Sequence, residues 1–179
     1  MLKAYKIAIV FTSLVVILFI AAAILPNRVV IERSVVMNVA PSVVFEQVND
    51  LKNWPNWMPW LEQDTTIEIS YSEDNEGLGA SYTWVNTNKD SGSLKITDSQ
   101  PYNSIITAVQ FGNMPTSEGK WVFESTTEGT IVSWSMTLNL SYPLTIMGPM
   151  LDGAMGADLE AGLLNLKLTQ PIDGSIKML

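Results

Sequence analysis

The sequence predicts an α+β fold: a seven-stranded antiparallel curved sheet around a long C-terminal helix, preceded by one N-terminal transmembrane helix. Three observations carry that expectation. A charge-free apolar run fills residues 7–25, apolar and polar residues then alternate with period two from about residue 66 to 140, and a final stretch repeats large apolar residues at every fourth position. A chain of 179 residues that is 47% hydrophobic can bury one substantial core besides such a run. The expected division is an N-terminal anchor over 1–26, one domain over 27–170 and a C-terminal tail over 171–179.

The apolar run reads IAIVFTSLVVILFIAAAIL, with Thr12 and Ser13 as its only polar residues. At a rise of about 1.5 Å per residue its helix measures about 28 Å, close to the roughly 30 Å of a bilayer's hydrocarbon core. Pro26 and Asn27 end it. Ala21, Ala22 and Ala23 also resemble the small-residue cleavage site of a signal peptide, but the run continues through Ile24 and Leu25, which suits a retained span better. Lys3 and Lys6 precede the run and Arg28 and Arg33 follow it, a weak charge bias; the short N-terminal tail favours the N-terminus inside and the domain outside the cytoplasm. The expectation is a single-pass cell-membrane protein whose contact with the membrane is residues 7–25.

Of ten basic and 18 acidic residues, eight and all 18 follow the apolar run, so the domain carries a net charge of −10. Such a surface repels nucleic acid and anionic lipid headgroups, and no nucleic-acid partner is expected. The chain has neither cysteine nor histidine. That removes disulfides, thiolate and Ser-His-Asp catalysis, and the usual ligands of zinc and iron. No cofactor and no metal are expected.

Residues 29–37, VVIERSVVM, are rich in β-branched side chains and read as a first strand. Pro41 then suits the first turn of a helix in which Val44, Phe45, Val48 and Leu51 recur with helical period, until Asn53-Trp54-Pro55 stops it. A short helical turn is expected around Trp60 and Leu61. Strand candidates follow at 66–71, 80–85, 91–99, 104–111, 118–125 and 130–140, separated by turn clusters such as Asp74-Asn75-Glu76-Gly77 and the segment from Gly112 to Pro115. The last of them alternates cleanly, with Val132, Trp134, Met136, Leu138 and Leu140 on one face, and a sheet apolar on one face needs a cover. The cover is the helical stretch from about Pro143 to Lys167, where Met147, Leu151, Met155, Leu159 and Leu163 form one row followed by Leu166. Gly148-Pro149 should kink this stretch or divide it in two.

In order and spacing, the chain resembles the START-like or helix-grip superfamily, also called SRPBCC, and within it polyketide cyclase/dehydratase-like members. The residues that carry the resemblance are 31–60 (IERSVVMNVAPSVVFEQVNDLKNWPNWMPW), 77–84 (GLGASYTW), 129–136 (GTIVSWSM) and 156–167 (GADLEAGLLNLK). The resemblance covers nearly everything after Pro26. It implies a cavity between sheet and C-terminal helix that takes a hydrophobic or amphipathic molecule. It supplies no catalytic positions that match residues of this chain.

The candidate ligand-binding residues are therefore the large side chains expected to face that space. They are Trp57 and Trp60 after the first domain helix, Tyr82, Trp84, Trp121, Trp134 and Met136 on the strands, and Met147, Leu151 and Met155 on the covering helix. Packing alone would place most of them inside as well. Glycines between the helical methionines are expected to leave room for a ligand. Asp152, Asp158 and Glu160 lie off the apolar row and read as a solvated helix face, and Arg33 as a snorkelling side chain at the groove's edge. No catalytic residue stands out. The sequence thus favours a membrane-tethered binder of a hydrophobic or lipid-like molecule, with a cyclase- or dehydratase-like enzyme and a protein-interaction module with a filled core as alternatives.

Overall fold

The computed structural model describes residues 2–170; the expected tail lies outside them. Helix α1 (Leu2–Ile24) contains one stretch long and apolar enough to cross a membrane, Tyr5–Ile24, of 20 residues. Strand β1 (Arg28–Met37) follows at once, then α2 (Pro41–Asn49), a 3-10 turn (Leu51–Asn56) and α3 (Pro59–Gln63). Six strands come next: β2 (Glu68–Tyr71), β3 (Ser81–Val85), β4 (Ser91–Gln100), β5 (Ser104–Phe111), β6 (Ser117–Thr126) and β7 (Gly129–Asn139). A second 3-10 turn (Leu144–Met147) leads into α4 (Gly148–Thr169).

The seven strands form one antiparallel sheet in the order β1-β7-β6-β5-β4-β3-β2. Consecutive strands β2 to β7 pair as hairpins, and β1 closes onto β7, the last strand in the chain. A bulge in β4 between Ile96 and Asp98 breaks the ladder with β5, a local twist that helps a sheet curl. The alternation read from the sequence holds: Val132, Trp134, Met136 and Leu138 of β7 are buried on one face, and Trp121 and Phe123 of β6 beside them.

Local chemistry sets two element boundaries. Strand β2 starts at Glu68 rather than at residue 66 because the Asp64 carboxylate accepts from the Thr66 amide (2.9 Å) and hydroxyl (2.6 Å), which holds the preceding residues in a turn. The expected division of the C-terminal stretch falls at Gly148-Pro149, and Pro149 occupies the first turn of α4, where its missing N–H costs nothing. Met147 is consequently on the far side of that break. It is 48% exposed, so the row that faces the sheet begins at Leu151 and not at Met147.

Candidate functional site

The inner face of the sheet carries a continuous aromatic cluster, with Trp134 beneath α4 and the rest running on toward β3. Trp121 and Trp134 are cross-strand partners in the β6–β7 ladder, and their rings stack with centroids 4.3 Å apart and planes 16° from parallel. Direct apposition on adjacent antiparallel strands sets this pair, since opposite side chains lie within van der Waals reach. Trp57 closes over both, edge-on at 5.6 Å to Trp121 and 6.2 Å to Trp134. It is placed there by the 3-10 turn, which Trp54 pins by donating its indole N–H to the Val48 carbonyl at 2.8 Å. From Trp54 the aromatic contacts continue to Tyr82, then to Trp84, then to Phe111.

The ten candidates separate into three groups by burial. Trp57, Tyr82, Trp121, Trp134 and Met136 are each at most 5% exposed and form the interior of the cluster. Trp60, Trp84, Leu151 and Met155 are half-buried around it. Met147 stands apart and exposed.

The expected room beside the glycines is largely occupied. A Cβ on Gly162 would come within 2.9 Å of the Trp134 ring, and one on Gly156 would overlap the Arg33 guanidinium. These glycines let α4 approach the sheet closely; Gly153 alone of the helix's later glycines faces open space. On the strands, Gly92 does the same for Trp84, its cross-strand partner.

Two features of the site escaped the sequence reading. Arg33 lies on the inner face of β1, opposite Trp134, and its guanidinium contacts the Asp152 carboxylate at 3.1 Å and the Asp152 carbonyl at 3.3 Å. The bond to Asp152 raises the Arg33 pKa further and keeps the group charged. Asp152, at 61% exposed, keeps the solvated position expected of it, and the pairing is what the sequence does not show. It depends on how α4 crosses β1, for which the chain offers only the faint signal of an Arg alternating with Ile31 and Val35.

The second feature is polar. The indole N–H groups of Trp57 and Trp121 are buried and have no acceptor among the described residues. A buried N–H without a partner costs about 1–3 kcal/mol. Tyr82 is the titratable group deepest in the cluster, and burial pushes its pKa well up, so its hydroxyl stays protonated across the working range of any cell. It can donate a hydrogen bond there and cannot serve as a resting base. Among the described residues, no three Asp or Glu side chains gather as a metal site would need.

A separate cavity of about 680 Å³ opens where α1 meets the domain, between Ala22, Leu25, Asn27, Pro115, Ser141 and Thr145. The Thr145 hydroxyl donates to the Ala22 carbonyl, and the Phe19 and Tyr142 rings meet at 6.1 Å.

Comparison with solved structures supports the fold. The chain is similar to protein CV1439 from Chromobacterium violaceum (TM-score 0.59, 12% identity, 83% of this chain and 100% of that one). It is also similar to TTHA0849 from Thermus thermophilus (TM-score 0.58, 21% identity, 79% of this chain and 94% of that one). A third similar structure is the di-domain ARO/CYC StfQ from the steffimycin biosynthetic pathway (TM-score 0.63, 14% identity, 79% of this chain and 50% of that one). No curated protein matches the sequence. The model of the family described as polyketide cyclase / dehydrase and lipid transport matches residues 28–169, from the start of β1 to the end of α4. The chain belongs to this family, and its fold is the helix-grip fold that the sequence resemblance implied.

Proposed function

We propose that this protein is a membrane-anchored binder of a hydrophobic, lipid-like molecule, held between the inner face of the sheet and α4. The observation that carries the reading is the pair of buried, unpartnered indole donors in an otherwise apolar aromatic cluster. A core built only for stability has no use for two such groups, whereas a ligand with one carbonyl or hydroxyl among apolar atoms would give them an acceptor and offset their cost. Trp57, Tyr82, Trp121, Trp134 and Met136 would form the inner wall. Trp60, Trp84, Leu151 and Met155 would form the rim, and Met147 would lie outside it.

Because the inner wall closes on itself in this structure, entry requires part of the cover to lift. The N-terminal half of α4 suits that step, since its large side chains Leu151 and Met155 are only half-buried and its ion pair to Arg33 is partly exposed. Helix α1 would act as the tether. Burial of Ala22 against the 3-10 turn before α4, and acceptance by its carbonyl of the Thr145 hydroxyl, support a retained span over a cleaved leader. With the domain outside the cytoplasm, a molecule dissolved in the bilayer would reach the site without crossing much water.

Native mass spectrometry of the full chain released from mild detergent, with organic extraction of the same sample, tests the reading. A single apolar species retained by the wild type and depleted in Trp57→Phe is expected. A wild-type chain carrying only detergent would sink it. A cyclase- or dehydratase-like activity is the second reading, favoured by the family's description alone. It would need an ionisable group in the cluster, for which Tyr82 as a proton-bearing donor is the available side chain.

A further inference from the structure

We infer that the charge-free segment from Asn139 to Met150 is a second membrane-contact element, seated in the bilayer interface beside α1. The inference rests on α1 being a retained span and goes beyond it, because a tether alone says nothing about which face of the domain meets lipid.

Depth carries the argument. The 20-residue stretch Tyr5–Ile24 matches the hydrocarbon core at about 30 Å, so its last residue lies near the boundary. Phe19, five residues earlier, then lies about 7.5 Å inside. The Tyr142 ring touches Phe19 with centroids 6.1 Å apart, and Thr145 bonds the carbonyl of Ala22, two residues before the helix end. With those contacts made, the segment cannot clear the lipid.

Its composition agrees. Tyr142, Leu144, Met147 and Met150 are 57%, 51%, 48% and 73% exposed, an apolar cluster left largely uncovered by the rest of the domain. Met114, in the β5–β6 connection, is 51% exposed, and its neighbour Pro115 shares a cavity wall with Ala22. From residue 139 to 151 and from 112 to 116 the chain has no charged residue, although 16% of all residues are charged. In a domain of net charge −10, both stretches that adjoin the anchor are thus free of charge, and acidic residues resume at Glu118 and Asp152. Exposed Arg28 flanks them there, a side chain suited to phosphate headgroups. Tyrosine, methionine and leucine exposed together beside a span are what an interfacial element requires. The partner is a lipid surface, and the consequence is orientation: the N-terminal end of α4 faces the membrane.

The chain has no cysteine, so single labels can be introduced cleanly. Nitroxides at Leu144→Cys and Met150→Cys, with Val16→Cys in mid-span and Glu128→Cys at the opposite end of the β6–β7 hairpin, are read in full-length protein in phosphatidylcholine vesicles. The quantity is collision with oxygen relative to a water-soluble nickel chelate. Labels at 144 and 150 are expected to give a ratio several-fold above that at 128 and to approach that at 16. A lipid-like ratio at 16 with water-like ratios at 144 and 150 overturns this inference while leaving the anchor intact. Water-like ratios at all four sites overturn both. Protection of 144 and 150 from both reagents, with dipolar broadening between copies, assigns the face to a second copy of the chain and overturns the lipid assignment.

Discussion

Between Leu159 and Leu166, α4 buries three leucines and lays Gly162 against Trp134, whereas between Gly148 and Asp158 its only fully buried residues are two glycines. Each fully buried leucine is worth about 1.5–3 kcal/mol of transfer free energy. The C-terminal half is therefore core. The N-terminal half rests on half-buried Leu151 and Met155 and on the partly exposed Arg33–Asp152 pair, a contact that water screens. One helix thus combines a fixed end over the tryptophans with a lightly held end beside the membrane anchor. A ligand entering beneath the lightly held end would leave the domain folded.

That contrast can be broken or sharpened by substitution. Leu163→Ala should cost about 2–5 kcal/mol in chemical denaturation, and Leu151→Ala well under half as much; equal losses would erase the distinction. Trp57→Phe keeps an aromatic ring and removes one unmet donor. Its ligand-free stability should change little, because the loss of volume, about 1–2 kcal/mol, is offset by relief of the unmet donor, and the rise in melting temperature produced by bound ligand should shrink. An unchanged ligand-induced rise would remove that indole from the binding account.

Tyr82 gives a pH signature. Its folded pKa is raised by burial above the ordinary value of 10.0, so the unfolded chain releases this proton first as pH rises. The stability it contributes is fully present below that value and is lost as pH rises beyond it. Tyr82→Phe should flatten the alkaline fall in stability measured above pH 10; a slope identical to wild type would place the titration elsewhere. The smallest effect belongs to Asp152→Asn. It should leave global stability nearly unchanged but speed hydrogen exchange in residues 148–157 relative to 159–169, and high salt should mimic it in the wild type.

Much of this was legible in the chain because period-two and period-four patterns report directly on which side chains share a face. Trp121, Trp134 and Met136 were assigned inward from alternation alone, and the structure buries all three. Met147 falls off the row because the break that Gly148-Pro149 implies lies between it and Leu151, and a row of every fourth residue does not continue across a break. The Arg33–Asp152 pair and the contact of Gly156 and Gly162 with groups on the sheet depend on a crossing angle between elements more than 20 residues apart in sequence. No local pattern encodes such an angle. The unpartnered indoles were equally hidden, since hydrogen-bond satisfaction belongs to the packed state.

Photo-crosslinking distinguishes a lipid-like molecule held under α4 from lipid contact at the anchor alone. The full-length chain is placed in vesicles doped with a diazirine-bearing fatty acid or phospholipid, irradiated and mapped by peptide mass spectrometry. Adducts are expected on the rim, at Trp60, Trp84, Leu151 or Met155, in addition to those on α1 and the segment beside it. Adducts confined to α1 and residues 139–150, with none under α4, would contradict the proposed binding.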